Sequence, residues 1–149
     1  MKKQIEYSIL DLAIVSQGTT LKDTFDHALS LAQAAEAEGY TRYWLAEHHN
    51  SVAIGSSATS ILIGKIAEGT KKIRVGSGGI MLPNHSSLII AEQFGTLGIL
   101  YPNRIDLGLG RAPGTDQETA KAIRSDFYQA AMSFPEEVQK IQQYFSNDN

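Results

Sequence analysis

Apolar positions in this chain follow two rhythms: short β-prone runs, and longer stretches where apolar side chains return every three or four places. Ile5 to Leu10 alternates and then runs apolar as far as Asp11, which predicts a first strand with an acid at its carboxyl end. Thr20 is placed to cap a helix, with Asp23 near the positive end of its dipole, Phe25, Ala28, Leu29, Ala32 and Ala35 on one face, and Gly39 as the stop. Tyr43 to Ala46 then reads as a buried strand that breaks into Glu47-His48-His49. Gly55-Ser56-Ser57-Ala58 opens a second helix, with Ile61, Leu62, Ile66 and Ala67 as its apolar members and Gly69 as its end. Ile73 and Val75 make a third strand whose exit is glycine-rich, and Ser86 or Ser87 caps a helix holding Ile89, Ile90, Phe94 and Leu97. Arg104 to Arg111 is the fourth strand, followed by a polar connection from Ala112 to Arg124. From Asp126 the pattern is helical, interrupted at Pro135 and restarted through Val138 and Ile141.

Strand and helix therefore alternate four times, at the spacing of right-handed βαβ units. The expected fold is α/β with a parallel sheet. Loops that carry reactive side chains, Glu47-His48-His49, Ser77-Gly78-Gly79 and Gly110-Arg111, all follow strands, so they are expected to converge on one rim of the sheet.

Composition narrows the functions. With 149 residues, 42% of them hydrophobic, the chain is the size of one domain with an ordinary core. A net charge of −3 argues against nucleic acid or an anionic membrane as partner, leaving a small molecule. There is no cysteine, hence no disulfide framework and no thiol chemistry. Neither the start Met1-Lys2-Lys3-Gln4 nor any later run has the apolar length of a leader or a membrane span, so a cytoplasmic location is expected. The polar tail 146–149 is expected to fray.

The adjacent histidines are open to several readings. Beside Glu47, at the end of an apolar strand, one of them suits proton transfer near neutrality; equally, either could satisfy a loop hydrogen bond. No metal is expected: Asp11, Glu47 and His85 are well placed, but His-x-His and His-Glu-x-x-His spacings are absent. A metal-assisted hydrolase using Glu47, His48 and His85 stands as a third reading. The glycine runs at 76–79 and 108–114 miss the dinucleotide fingerprint, since Met81 and Pro113 occupy the place of its last glycine. They read either as tight turns or as strand ends bare enough for a flat ligand, with Arg111 as a fixed charge for a phosphate or as a member of a surface ion pair with Asp106, Asp116 or Glu118. Asn84-His85-Ser86 matches a glycosylation sequon by chance, and Glu92 is either a surface acid or a buried partner of a loop group.

Taken together, Tyr43-Trp44-Leu45-Ala46-Glu47-His48-His49, the run 75–85, Ile90-Ala91-Glu92-Gln93-Phe94 and the run 105–114 resemble the bacterial-luciferase-like monooxygenase family. That resemblance implies a TIM-type (β/α) barrel of eight units, of which residues 1–149 supply the amino-terminal half, four βα units. It implies reduced FMN, or coenzyme F420 in some relatives, reacting with oxygen to a C4a-peroxide that oxygenates an aldehyde-like substrate. By the same resemblance His48 assists the chemistry, Ser77, Gly78 and Gly79 lie against the flavin ring with a non-proline cis peptide between the two glycines, and Arg111 contacts the flavin phosphate. Asn103 stands where the family commonly has glycine. Four strands do not close a barrel, so the expectation is a homodimer in which strand four of each copy pairs with strand one of the other. The alternative is a remnant that folds and self-associates without binding flavin.

Overall fold

The computed structural model describes residues 5–146. Residues 1–4, and 147–149 of the tail expected to fray, lie outside them; Ser146 itself is hydrogen-bonded through its hydroxyl to the Gln143 carbonyl, at 2.8 Å. Four parallel strands lie in chain order, β1 (Ser8–Asp11), β2 (Arg42–Leu45), β3 (Arg74–Met81) and β4 (Ile105–Gly110). They alternate with α1 (Leu21–Ala37), α2 (Thr59–Glu68) and α3 (Ser87–Leu100), while α4 (Gln117–Ile123), α5 (Phe127–Met132) and α6 (Phe134–Tyr144) follow β4. The fold is thus half of a (β/α) barrel.

The helices α1 and α4 begin at side-chain caps, whereas α3 begins at Ser86 without a side-chain cap bond and the Ser87 hydroxyl goes to Glu137. In α1 the cap is reciprocal. Thr20 and Asp23 form a reciprocal capping box: the Thr20 hydroxyl accepts from the Asp23 amide at 3.1 Å, and the Asp23 carboxylate accepts from the Thr20 amide at 3.0 Å. Ala28, Ala32 and Ala35 form the buried stripe of this helix, small enough to bring α1 close to the sheet. One core joins these alanines to Tyr43 and Leu45 of β2, Ile63 and Ile66 of α2, Val75 and Ile80 of β3, and Ile90 and Phe94 of α3. The opposite face of the sheet is open, with Leu10 at 55% exposure and Gly78 also exposed.

Three expectations need correction. The first strand begins at Ser8 rather than Ile5, because its partner β2 starts at Arg42, opposite Ser8. In the third strand the glycines do not form the exit: β3 continues through them to Met81, since pairing with β4 resumes at Ile80 opposite Leu109 after a bulge. The Gly78–Gly79 peptide in that bulge is cis, as the resemblance implied. The connection after β4 contains α4, nucleated by Asp116, whose carboxylate accepts from the Thr119 amide at 2.9 Å. Asn103 sits at φ +62°, a left-handed conformation that asparagine tolerates and that accounts for its place in a position suited to glycine.

Candidate functional site

The rim at the carboxyl ends of the strands is built around Glu47, the second residue after β2 and only 1% exposed. Its Oε1 lies 2.6 Å from His49 Nε2 and 2.8 Å from His85 Nε2, and its Oε2 accepts from the Met81 amide at 3.0 Å. One carboxylate thereby joins the β2 exit, the end of β3 and the 3₁₀ turn Leu82–Asn84 that precedes His85. Burial acts to raise the pKa of Glu47, but hydrogen bonds from His85 and His49 outweigh it and hold the carboxyl below its ordinary value.

The β4 exit closes on the same point. His49 donates its amide to the Gly114 carbonyl at 3.0 Å, and Thr115 donates its hydroxyl to the His49 carbonyl at 3.0 Å. Gly114 has φ +66°, and a Cβ there would stand 2.8 Å from the Glu47 carbonyl oxygen, so no other residue would let the two exits approach. The Asn84 amide adds a bond to the Pro113 carbonyl at 2.9 Å. Three strand exits are therefore locked together, through Glu47, His49, Met81, Asn84 and Gly114 rather than through Ser77-Gly78-Gly79, which lie within β3, or Arg111.

The sequence-derived site residues differ in their surroundings. His48 is half-buried and has no hydrogen-bond partner among the described residues, in contrast to its neighbour His49. Ser77 is fully buried, and its hydroxyl both donates to the Gly108 carbonyl at 2.8 Å and accepts from the Gly108 amide at 3.1 Å. Gly78 is exposed on the open face, where a Cβ would meet Leu10 Cδ1 and Trp44 Cβ, each at 3.1 Å. Gly79 abuts Gly108 of β4, 3.0 Å from a Cβ placed on it. Arg111 extends to the end of α5, donating to the Ala131 carbonyl at 2.9 Å, and forms no ion pair among the described residues. The ion pair of Arg111 with Asp106, one of three alternatives open in the sequence, does not occur, because Asp106 is held by Arg42 and Arg74 on the neighbouring strands. Glu92 is an exposed acid.

Sequence reasoning grouped Glu47 with His85 but set His48 beside them, and missed that Glu47 is the shared acceptor of His49 and His85. The signal was an acid at the end of an apolar run next to two imidazoles, with a third imidazole just after the following strand. No spacing rule connects residues 47 and 85, since the link runs through the pairing of β2 with β3.

Four parallel βα units with polar groups gathered at the strand ends are the architecture of half a (β/α) barrel. A sequence model described as luciferase-like monooxygenase matches residues 5–148, and the chain belongs to that family. It is 60% identical over 144 residues to the YvbT protein of Bacillus subtilis (strain 168), covering 97% of this chain and 43% of that protein. It is 54% identical over 143 residues to a luciferase-like monooxygenase of Escherichia coli (strain K12), covering 96% of this chain and 43% of that protein. The crystal structure of apo-MsnO8 superposes with a TM-score of 0.91 at 38% identity, over 97% of this chain and 44% of that one. Two more distant structures share the fold alone. The oxygenating constituent of 3,6-diketocamphane monooxygenase from Pseudomonas putida, in complex with FMN, gives a TM-score of 0.76 at 20% identity, over 91% of this chain and 38% of that one. The coenzyme F420 dependent tetrahydromethanopterin reductase of Methanopyrus kandleri gives 0.60 at 19% identity, over 80% and 30% respectively. The chain spans less than half the length of the relatives it matches.

Proposed function

We propose that this chain is the flavin-binding half of a flavin-dependent monooxygenase that oxygenates a small organic substrate, with reduced FMN as cofactor and coenzyme F420 as the alternative. The observation that carries this reading is the bare strip at Gly78. It is exposed on the open face of the sheet between Leu10 and Trp44, and a Cβ there would come within 3.1 Å of both. Any side chain would fill that strip, whereas glycine leaves it flat for a planar ring lying against backbone. Arg111, free of any carboxylate partner among the described residues, supplies a positive charge at the β4 exit suited to a phosphate.

When bound, reduced flavin supplies the electrons for oxygen activation. The chain's own groups do the rest. Leu10 and Trp44 keep water from the ring, and Ser77, bonded on both sides to Gly108, fixes the β3–β4 spacing behind it. His48 holds and transfers a proton beside the reacting atoms, a role to which an unpaired imidazole is suited. Glu47, through His49 and His85, holds the loop that carries His48.

Titration with FMN, followed by quenching of flavin fluorescence, tests the reading, with F420 run in parallel. Saturable quenching is expected. His48→Ala should leave binding intact and lower substrate oxygenation by about 100-fold or more; unchanged turnover would remove His48 from the chemistry. The rival reading, a half-barrel that associates without flavin, draws on the 43% coverage of relatives and expects no quenching.

A further inference from the structure

The cluster beneath the rim has a property that flavin chemistry does not use. His49 Nε2 and His85 Nε2 both face a single oxygen of Glu47, at 2.6 and 2.8 Å, and the three donor atoms lie within 4.8 Å of one another. Two imidazole nitrogens gathered around one carboxylate oxygen are the donor set that binds first-row divalent ions while leaving further positions to water. We propose that Glu47, His49 and His85 form a binding site for a divalent transition-metal ion, of which zinc is the representative.

Several features favour a metal site over an ordinary ion-pair cluster. The donors come from two separate loops, the β2 exit and the segment after β3, so one ion would clamp both. The second carboxylate oxygen is already held by the Met81 amide, which leaves Oε1 as a single, oriented donor. Such outer contacts fix the direction of a ligand before the ion arrives. His49 is further fixed through its backbone, by Gly114 and Thr115.

Access is also provided. Glu47 is 1% exposed, but the His49 and His85 side chains are 19% and 29% exposed, so an ion can enter past the imidazoles and keep water on the open side. His49 lines a cleft bounded by α4, and His85 lines another bounded by Arg124 and α5. Ligand atoms around a tetrahedral ion stand about 3.3 Å apart, so the Glu47 oxygen needs to draw back from the two imidazole nitrogens by roughly 0.5 to 0.7 Å from the hydrogen-bonded positions. Each imidazole then presents Nε2 to the ion and carries its proton on Nδ1, with any displaced proton passing to solvent.

The site is independent of flavin, and the test needs none. Chelator-treated protein is titrated with Co²⁺ alone, followed by visible d–d absorption, and then with Zn²⁺ as competitor. One equivalent of Co²⁺ should bind with a visible band that Zn²⁺ removes, and Zn²⁺ should raise the thermal midpoint of the wild type. His49→Ala and His85→Ala should each weaken binding by about tenfold or more and abolish the thermal shift, as should Glu47→Gln. His27→Ala, on the exposed face of α1, should leave both unchanged. The histidine variants alter partly exposed side chains, so they decide the question should Glu47→Gln fail to fold. No cobalt band in the wild type, or binding undiminished in both histidine variants, would overturn the proposal.

Discussion

Asp106 shows how much one side chain can decide. It lies on β4, where its carboxylate is only 20% exposed and binds Arg74 Nε at 2.9 Å and Arg42 Nε at 3.1 Å, joining three strands near their amino ends. Burial alone would raise its pKa; hydrogen bonding and charge from Arg74, then Arg42, overcome this and lower it. A depressed folded value means that the ionised carboxylate stabilises the fold fully above the unfolded pKa of about 4, and that this contribution disappears as pH falls through the lower folded value. Asp106→Asn should therefore lose about 1–3 kcal/mol at neutral pH and flatten the acid limb of stability, checked by urea denaturation between neutral and acid pH. An acid limb unchanged in the variant would show that the pair contributes nothing. None of this was legible in the sequence, where Asp106 was only one of three acids open to Arg111. Residues 42, 74 and 106 meet only because the strand register sets Arg42 opposite Arg74 and Gly76 opposite Asp106.

At the level of elements the pattern was more informative, because helix and strand signals are local. The cap at Thr20, the stops at Gly39 and Gly69, and the break before Phe134-Pro135 all follow from residues acting within one turn of backbone. Thr20→Ala removes one half of the capping box and should cost about 1 kcal/mol, read as a lower urea midpoint with an unchanged slope; a midpoint equal to wild type would mean the box is dispensable. The strand ends were less legible. Where β1 starts and how far β3 runs depend on the neighbouring strand, and no periodicity within either segment records that. The helix α4 was missed since its cap, Asp116, stands in a polar stretch without apolar rhythm.

Over the whole molecule the dominant feature is a sheet with helices on one side only. β1 and β4 each have an edge without a partner among the described residues, and Tyr7 and Leu10 are 60% and 55% exposed at the first edge and open face. Unpaired edges beside exposed apolar side chains favour further pairing. We expect two copies to close the barrel, β4 of each against β1 of the other, and light scattering to give twice the 16.2 kDa of one chain at micromolar concentration. A well-folded monomer at that concentration would count against it. The sequence by itself determined the order of strands and helices and the cap at Thr20, because these rest on interactions between near neighbours in the chain. Only the tertiary structure decided that Glu47 gathers His49 and His85 while His48 stays unpaired. Those contacts span up to 38 residues and exist only once parallel strands have fixed which exits lie side by side.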